Sequence, residues 1–99
     1  MSIARVVALL LALLPGAALA QAVPRYDTAR TCARVLGGNG GTDALYNTCI
    51  DGEQRALNDL RRSWEAAPAA TREDCAQDAR AGGGSYVALR DCLALRGGR

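Results

Sequence analysis

The sequence contains no histidine, no lysine and no phenylalanine. Each absence removes a class of chemistry. Without histidine there is no imidazole base near neutral pH, no Ser-His or Cys-His nucleophile pair, and no ligand of the commonest metal-binding kind. Without lysine the glycine-rich phosphate loop of the Walker type lacks its ammonium. Cys-x-x-Cys pairs are also missing, so neither the usual zinc spacing nor a haem attachment motif is present. No cofactor and no metal site is expected. With one Trp and three Tyr, large core-forming side chains are scarce, and much of the apolar content is Ala. There is no run of like charge. The 12 Arg alternate with 10 acidic residues, so no basic stripe for nucleic acid exists. Arg as the sole base, with abundant Ala and Gly, fits the codon usage of a GC-rich bacterial genome.

One apolar run is present, Val6 to Leu14. Arg5 precedes it, Pro15-Gly16 ends it, and Ala18-Leu19-Ala20 supplies a small-x-small cleavage pattern. Residues 1–20 therefore read as a signal peptide, with the mature chain starting at Gln21. The run is shorter than the roughly 20 residues that span a bilayer. No second run follows, and no cysteine sits at the cleavage point for lipid attachment. The expectation is a periplasmic or secreted protein with no membrane anchor after cleavage. Removing 20 of the 99 residues leaves 79, one domain over 21–99 whose core alone would be marginal.

Cys32, Cys49, Cys75 and Cys92 all lie in that mature part, an even set that reads as a disulfide framework. The spacing from Cys32 to Cys49 equals that from Cys75 to Cys92, 17 positions. A shift of 43 also pairs Thr28 with Thr71, Ala33 with Ala76, Gly40-Gly41 with Gly83-Gly84, Thr42 with Ser85 and Ile50 with Leu93. The expectation is a duplicated unit, at 28–50 and 71–93. Each unit reads as two helices around a glycine turn. A first helix covers 28–36 and stops at the run Gly37 to Gly41. Thr42 caps a long helix from Asp43 to about Ala66, with Leu45, Tyr46, Cys49, Ile50, Leu57, Leu60 and Trp64 as its apolar stripe. Asp51 and Arg55 stand at ion-pair spacing on it. Pro68 ends it. Thr71 and Asp74 form a capping box for a third helix to Ala81. Ser85 caps a last helix bearing Tyr86, Leu89, Cys92 and Leu93. Gly97-Gly98-Arg99 reads as a frayed tail.

Helical geometry constrains the pairing. In an antiparallel hairpin, residues equidistant from the turn face each other, which matches Cys32 with Cys49 and Cys75 with Cys92. A Cys49–Cys75 pair would be offset by roughly 10 to 20 Å along the helices, beyond the ~7 Å that a disulfide tolerates. The expected fold is all-α: two disulfide-stapled antiparallel helical hairpins sharing one long central helix.

The Gly83-Gly84-Ser85-Tyr86 motif ahead of Cys92, with Gly40-Gly41-Thr42 ahead of Cys49, resembles a group of small exported bacterial proteins with a twin glycine-serine-tyrosine motif between cysteines. The resemblance covers about residues 27–96, and the first unit departs from it with Asp43 in the place of Tyr86. It implies the repeat and the export, and no activity.

The acids Asp51, Glu53, Glu73, Asp74, Asp78 and Asp91 read as solvated helix faces, since a catalytic pair needs a cleft. Arg61, Arg62 and Trp64 form the candidate partner contact, because Arg and Trp are enriched at binding hot spots. Trp64 also lies on the Leu57–Leu60 stripe, where burial with an exposed edge is the expectation. The sequence thus points to a non-enzymatic interaction module, its partner another envelope protein or a second copy. A structural envelope component and an enzyme are the alternatives.

Overall fold

The computed structural model describes residues 22–37 and 42–96. The expected signal peptide, most of the first glycine run and the expected frayed tail Gly97-Gly98-Arg99 lie outside the described residues. Four helices follow in order: α1 (Thr28–Val35), α2 (Asp43–Ser63), a 3-10 turn (Trp64–Ala66), α3 (Ala69–Ala81) and α4 (Tyr86–Arg96). No strand occurs among the described residues, and the fold is all-α.

The helix limits follow local chemistry. The Asp27 carboxylate accepts from the Arg30 backbone N–H at 3.0 Å and starts α1. Gly37, at φ +74°, ends it in the left-handed conformation that a β-carbon disfavours. Thr42 Oγ1 accepts from Leu45 N–H at 3.2 Å and starts α2. α2 stops at Ser63 rather than Ala66, because the last turn tightens to i→i+3 bonding ahead of Pro68 (Ala67 N–H to the Trp64 carbonyl, 3.3 Å). α3 starts earlier than the sequence suggests. The Pro68 carbonyl already accepts from Arg72 N–H at 2.9 Å, so Thr71 lies inside the first turn and is not an N-cap. Ala69 and Ala70, the best helix formers, carry the helix start without a side-chain cap.

Both disulfides pair as the hairpin geometry requires. Cys32–Cys49 joins α1 to α2 and Cys75–Cys92 joins α3 to α4, each with Cα atoms 5.7 Å apart. Each closes a loop worth about 3 kcal/mol in the chain-entropy model. They fit maturation in an oxidising compartment. Among the described residues, no helix is long and apolar enough to cross a membrane.

The core lies in one half of the molecule. It is built from Ala56 and Leu60 of α2, Trp64 of the 3-10 turn, Cys75, Ala76 and Ala79 of α3, and Tyr86, Leu89 and Leu93 of α4. The alanines allow close helix approach where large apolar residues are scarce. α4 packs against both α2 and α3, whereas direct contact between α2 and α3 is minor. α4 is thus the middle element. The buried stripe of α2 also differs from the expected one. It runs Glu53, Ala56, Leu60 and Trp64, while Leu45 is exposed and Tyr46, Cys49, Ile50 and Leu57 are half-buried. Periodicity missed it because a glutamate and an alanine occupy its first two positions. The Asp51–Arg55 ion pair does not form among the described residues. Asp59 is the paired acid of α2, bound to Arg62 and to Arg90 of α4 at 3.2 Å.

No residue of α1, and none of α2 before Ala56, belongs to the core cluster. Thr31 and Cys32 are the buried residues of α1, so the first disulfide carries a hold that apolar packing supplies in the other half. In the double variant Cys32→Ala with Cys49→Ala, hydrogen exchange should become fast in α1 and in residues 43–52. α3 and α4 should stay protected. The matching variant Cys75→Ala with Cys92→Ala should lower protection everywhere. Equal loss of protection in both would show that the outer hairpin has a core of its own.

Candidate functional site

Among the described residues, Glu53 is the buried acidic side chain, 3% exposed. Its Oε1 accepts from Tyr86 N–H at 2.8 Å, and its Oε2 accepts from Ser85 Oγ at 2.7 Å and Val87 N–H at 3.3 Å. Ser85 Oγ in turn accepts from Ala88 N–H at 3.2 Å. A helix leaves its first four N–H groups without internal partners. In a capping box the residue at the third helical position serves the N-cap backbone; in α4 that residue is Ala88. A glutamate from α2 supplies the acceptor instead. Glu53 was read as part of a solvated face, and the structure corrects this. Both of its oxygens are consumed by the helix start, so it is not available as a general acid or base. The signal for it was the bare Ser85-Tyr86-Val87-Ala88 start, which lacks the acid that such a start uses.

The second glycine turn receives the rest of the chain. Gly83 and Gly84 sit at φ +102° and +87°. A β-carbon on Gly83 would strike the Arg34 guanidinium, and one on Gly84 would come within 3.1 Å of the Tyr26 ring. The buried Thr31 hydroxyl donates to the Gly84 carbonyl, and Arg34 donates to the Gly82 and Gly83 carbonyls at 3.3 Å each. Tyr26 donates its backbone N–H to Tyr86 Oη at 2.8 Å, with ring centroids 4.9 Å apart. Its own hydroxyl donates to the Ala76 carbonyl at 3.4 Å. Burial raises the Tyr26 pKa above its usual value; the nearby Arg80 charge opposes the rise and Tyr86 adds to it.

The structure separates the predicted contact cluster. Trp64 is 6% exposed and belongs to the core. The Arg72 guanidinium lies 5.6 Å from the centroid of its ring. Its indole Nε1 is buried with no hydrogen-bond partner among the described residues. Arg62 is drawn to Asp59. Arg61 is exposed and shares a shallow depression with Leu57, the Trp64 edge, Arg25 and Tyr86.

A second surface emerges at the loop end of the first hairpin. Val35 and Leu36 follow Cys32 by three and four residues, and Tyr46 and Leu45 precede Cys49 by the same steps. The antiparallel staple therefore sets them level with each other. Val35 is 66% and Leu45 52% exposed, with Leu36, Tyr46 and Ile50 half-buried beside them in sequence. No protein-family model, no curated protein and no solved structure matches the chain.

Two predictions follow from the Glu53 and Tyr26 geometry. Glu53→Ala leaves the α4 start without acceptors and should cost about 3 kcal/mol, and Glu53→Gln, which keeps one acceptor oxygen, about 1 to 2 kcal/mol. Urea unfolding with disulfides intact measures both, and losses under about 0.5 kcal/mol would remove the cap from its structural role. For Tyr26, the folded state favours the neutral phenol. Its contribution is complete below the ordinary value of 10.0 and declines as pH rises through the higher folded value. The part of the phenolate absorbance that Tyr26→Phe removes should appear above pH 10.0, and the stability of that variant should fall less above pH 10.0.

Proposed function

We propose that the protein is a non-enzymatic interaction module of the bacterial periplasm or extracellular space, docking another envelope protein through the loop end of the α1–α2 hairpin. The observation that carries this reading is the exposure of Val35 and Leu45, 66% and 52%, on two helices fixed side by side by Cys32–Cys49. Exposed apolar residues brought level on adjacent helices are a candidate docking surface. A uniformly polar surface would have favoured a purely structural envelope component. An enzyme would need its buried carboxylate free in a pocket, and Glu53 is bonded at both oxygens. Arg61, beside Leu57 and Arg25, lines the second contact surface in this reading.

A photo-cross-linking residue at Leu45, in the exported full chain, should form a discrete adduct that Val35→Asp abolishes. The same residue at Arg55, which is exposed on the same helix, should not form it. An adduct of twice the chain mass would identify the partner as a second copy. Equal labelling from both positions, or none from Leu45, would overturn the docking surface.

A further inference from the structure

We propose that the cleft between the N-terminal segment, the start of α1 and the turn after α3 binds a phosphate monoester through Arg25, Arg30 and Arg80. These three arginines come from three separate segments and line one cleft of about 480 Å³, with Asp27, Gly83 and Gly84 on its walls. All three are exposed. None makes an ion pair among the described residues, unlike Arg62, Arg90 and Arg96, which pair with Asp59, Asp59 and Asp78.

The charge of the cleft is unbalanced. Asp27 is the one acid on its wall, and its Oδ1 is occupied by the Arg30 backbone N–H. Three guanidinium groups against one carboxylate leave +2, equal to the net charge of the entire chain. A carboxylate ligand is satisfied by a single guanidinium fork. A phosphate monoester, carrying about −1.5 to −2 at pH 7 with three acceptor oxygens, matches both the excess charge and the number of forks.

The glycine turn removes what would oppose such a ligand. The carbonyl end of α3 carries the negative end of its dipole. Arg34 covers it by donating to Gly82 and Gly83, and it can approach because Gly83 has no β-carbon. The negative end of the α3 dipole is thereby screened beside the cleft. The same chemistry could come from free phosphate or from a phosphomonoester lipid headgroup.

The test is an NMR titration of the oxidised mature protein with inorganic phosphate, against sodium chloride at matched ionic strength. Saturable shifts are expected at the amides of Arg30, Gly83 and Gly84. The double variant R30Q/R80Q, which removes two exposed side chains, should bind at least ~10-fold more weakly. R55Q/R61Q makes the same charge change elsewhere and should bind as the parent does. Phosphatidylcholine vesicles with one part in five phosphatidic acid form the second arm, with pure phosphatidylcholine vesicles as reference. Site-dependent binding to the acidic vesicles assigns the headgroup, and phosphate binding without vesicle binding assigns a soluble ligand. Shifts that chloride reproduces, equal losses in the two double variants, or binding to neither probe would overturn the site.

Discussion

A glutamate buried beneath a helix start that its own Ser85 caps only in part sets the geometry of the molecule. Taking a carboxylate out of water costs several kcal/mol unless its oxygens find donors. Glu53 finds three, all at the start of α4. A slip of α4 by one turn along α2 would move those donors about 5.4 Å, leaving both the carboxylate and the backbone N–H groups unpaired. Apolar packing among alanines is tolerant of such slips, and this polar contact is not. The register of α2 against α4 is therefore held by Glu53 more than by Ala56 or Leu60.

Other contacts descend from that one. Glu53 positions Tyr86, the first residue of α4. Tyr86 then takes the Tyr26 backbone N–H on its hydroxyl and the Tyr26 ring against its own. Tyr26 leads directly into Asp27, the cap of α1. An eight-residue helix is far below the length that is stable alone in water. α1 persists because it is held to two neighbours: through Tyr26 and Thr31 to α4 and the second glycine turn, and through Cys32 to α2.

The disulfide pairing and the order of helices were legible in the sequence because cysteine spacing and glycine turns act locally. The caps Thr42 and Ser85 were legible for the same reason. What escaped was the identity of the buried stripe. Glu53 is charged, and Ala56 is ambiguous, so hydrophobic periodicity ranks both below Leu45, which is exposed. The donors that make Glu53 a core residue lie 32 to 34 positions away, beyond any local pattern. Thr71 shows the reverse error. It has a cap's chemistry, but Pro68 starts the helix first. Positions that match between the two segments also differ in burial. Ala33 is exposed where Ala76 is buried, and Ile50 is half-buried where Leu93 is buried. Similar spacing yielded similar helices and staples, and only the second segment was given a core.

That asymmetry bears on why the outer hairpin is stapled at all. Two helices joined only by burial must turn their apolar residues toward each other, because that burial is what holds them. A covalent link removes the requirement. With Cys32 and Cys49 supplying about 3 kcal/mol through restriction of the unfolded chain, and with Thr31 and Arg34 latched to the second turn, α1 and the first half of α2 stay folded without a core between them. Val35 and Leu45 can then face outward at no cost to the hairpin's integrity. In the second hairpin the same covalent link sits within a core that already holds Leu89 and Leu93 inward. The disulfide that adds to burial in one half substitutes for it in the other, and it is the substitution that leaves an apolar surface open.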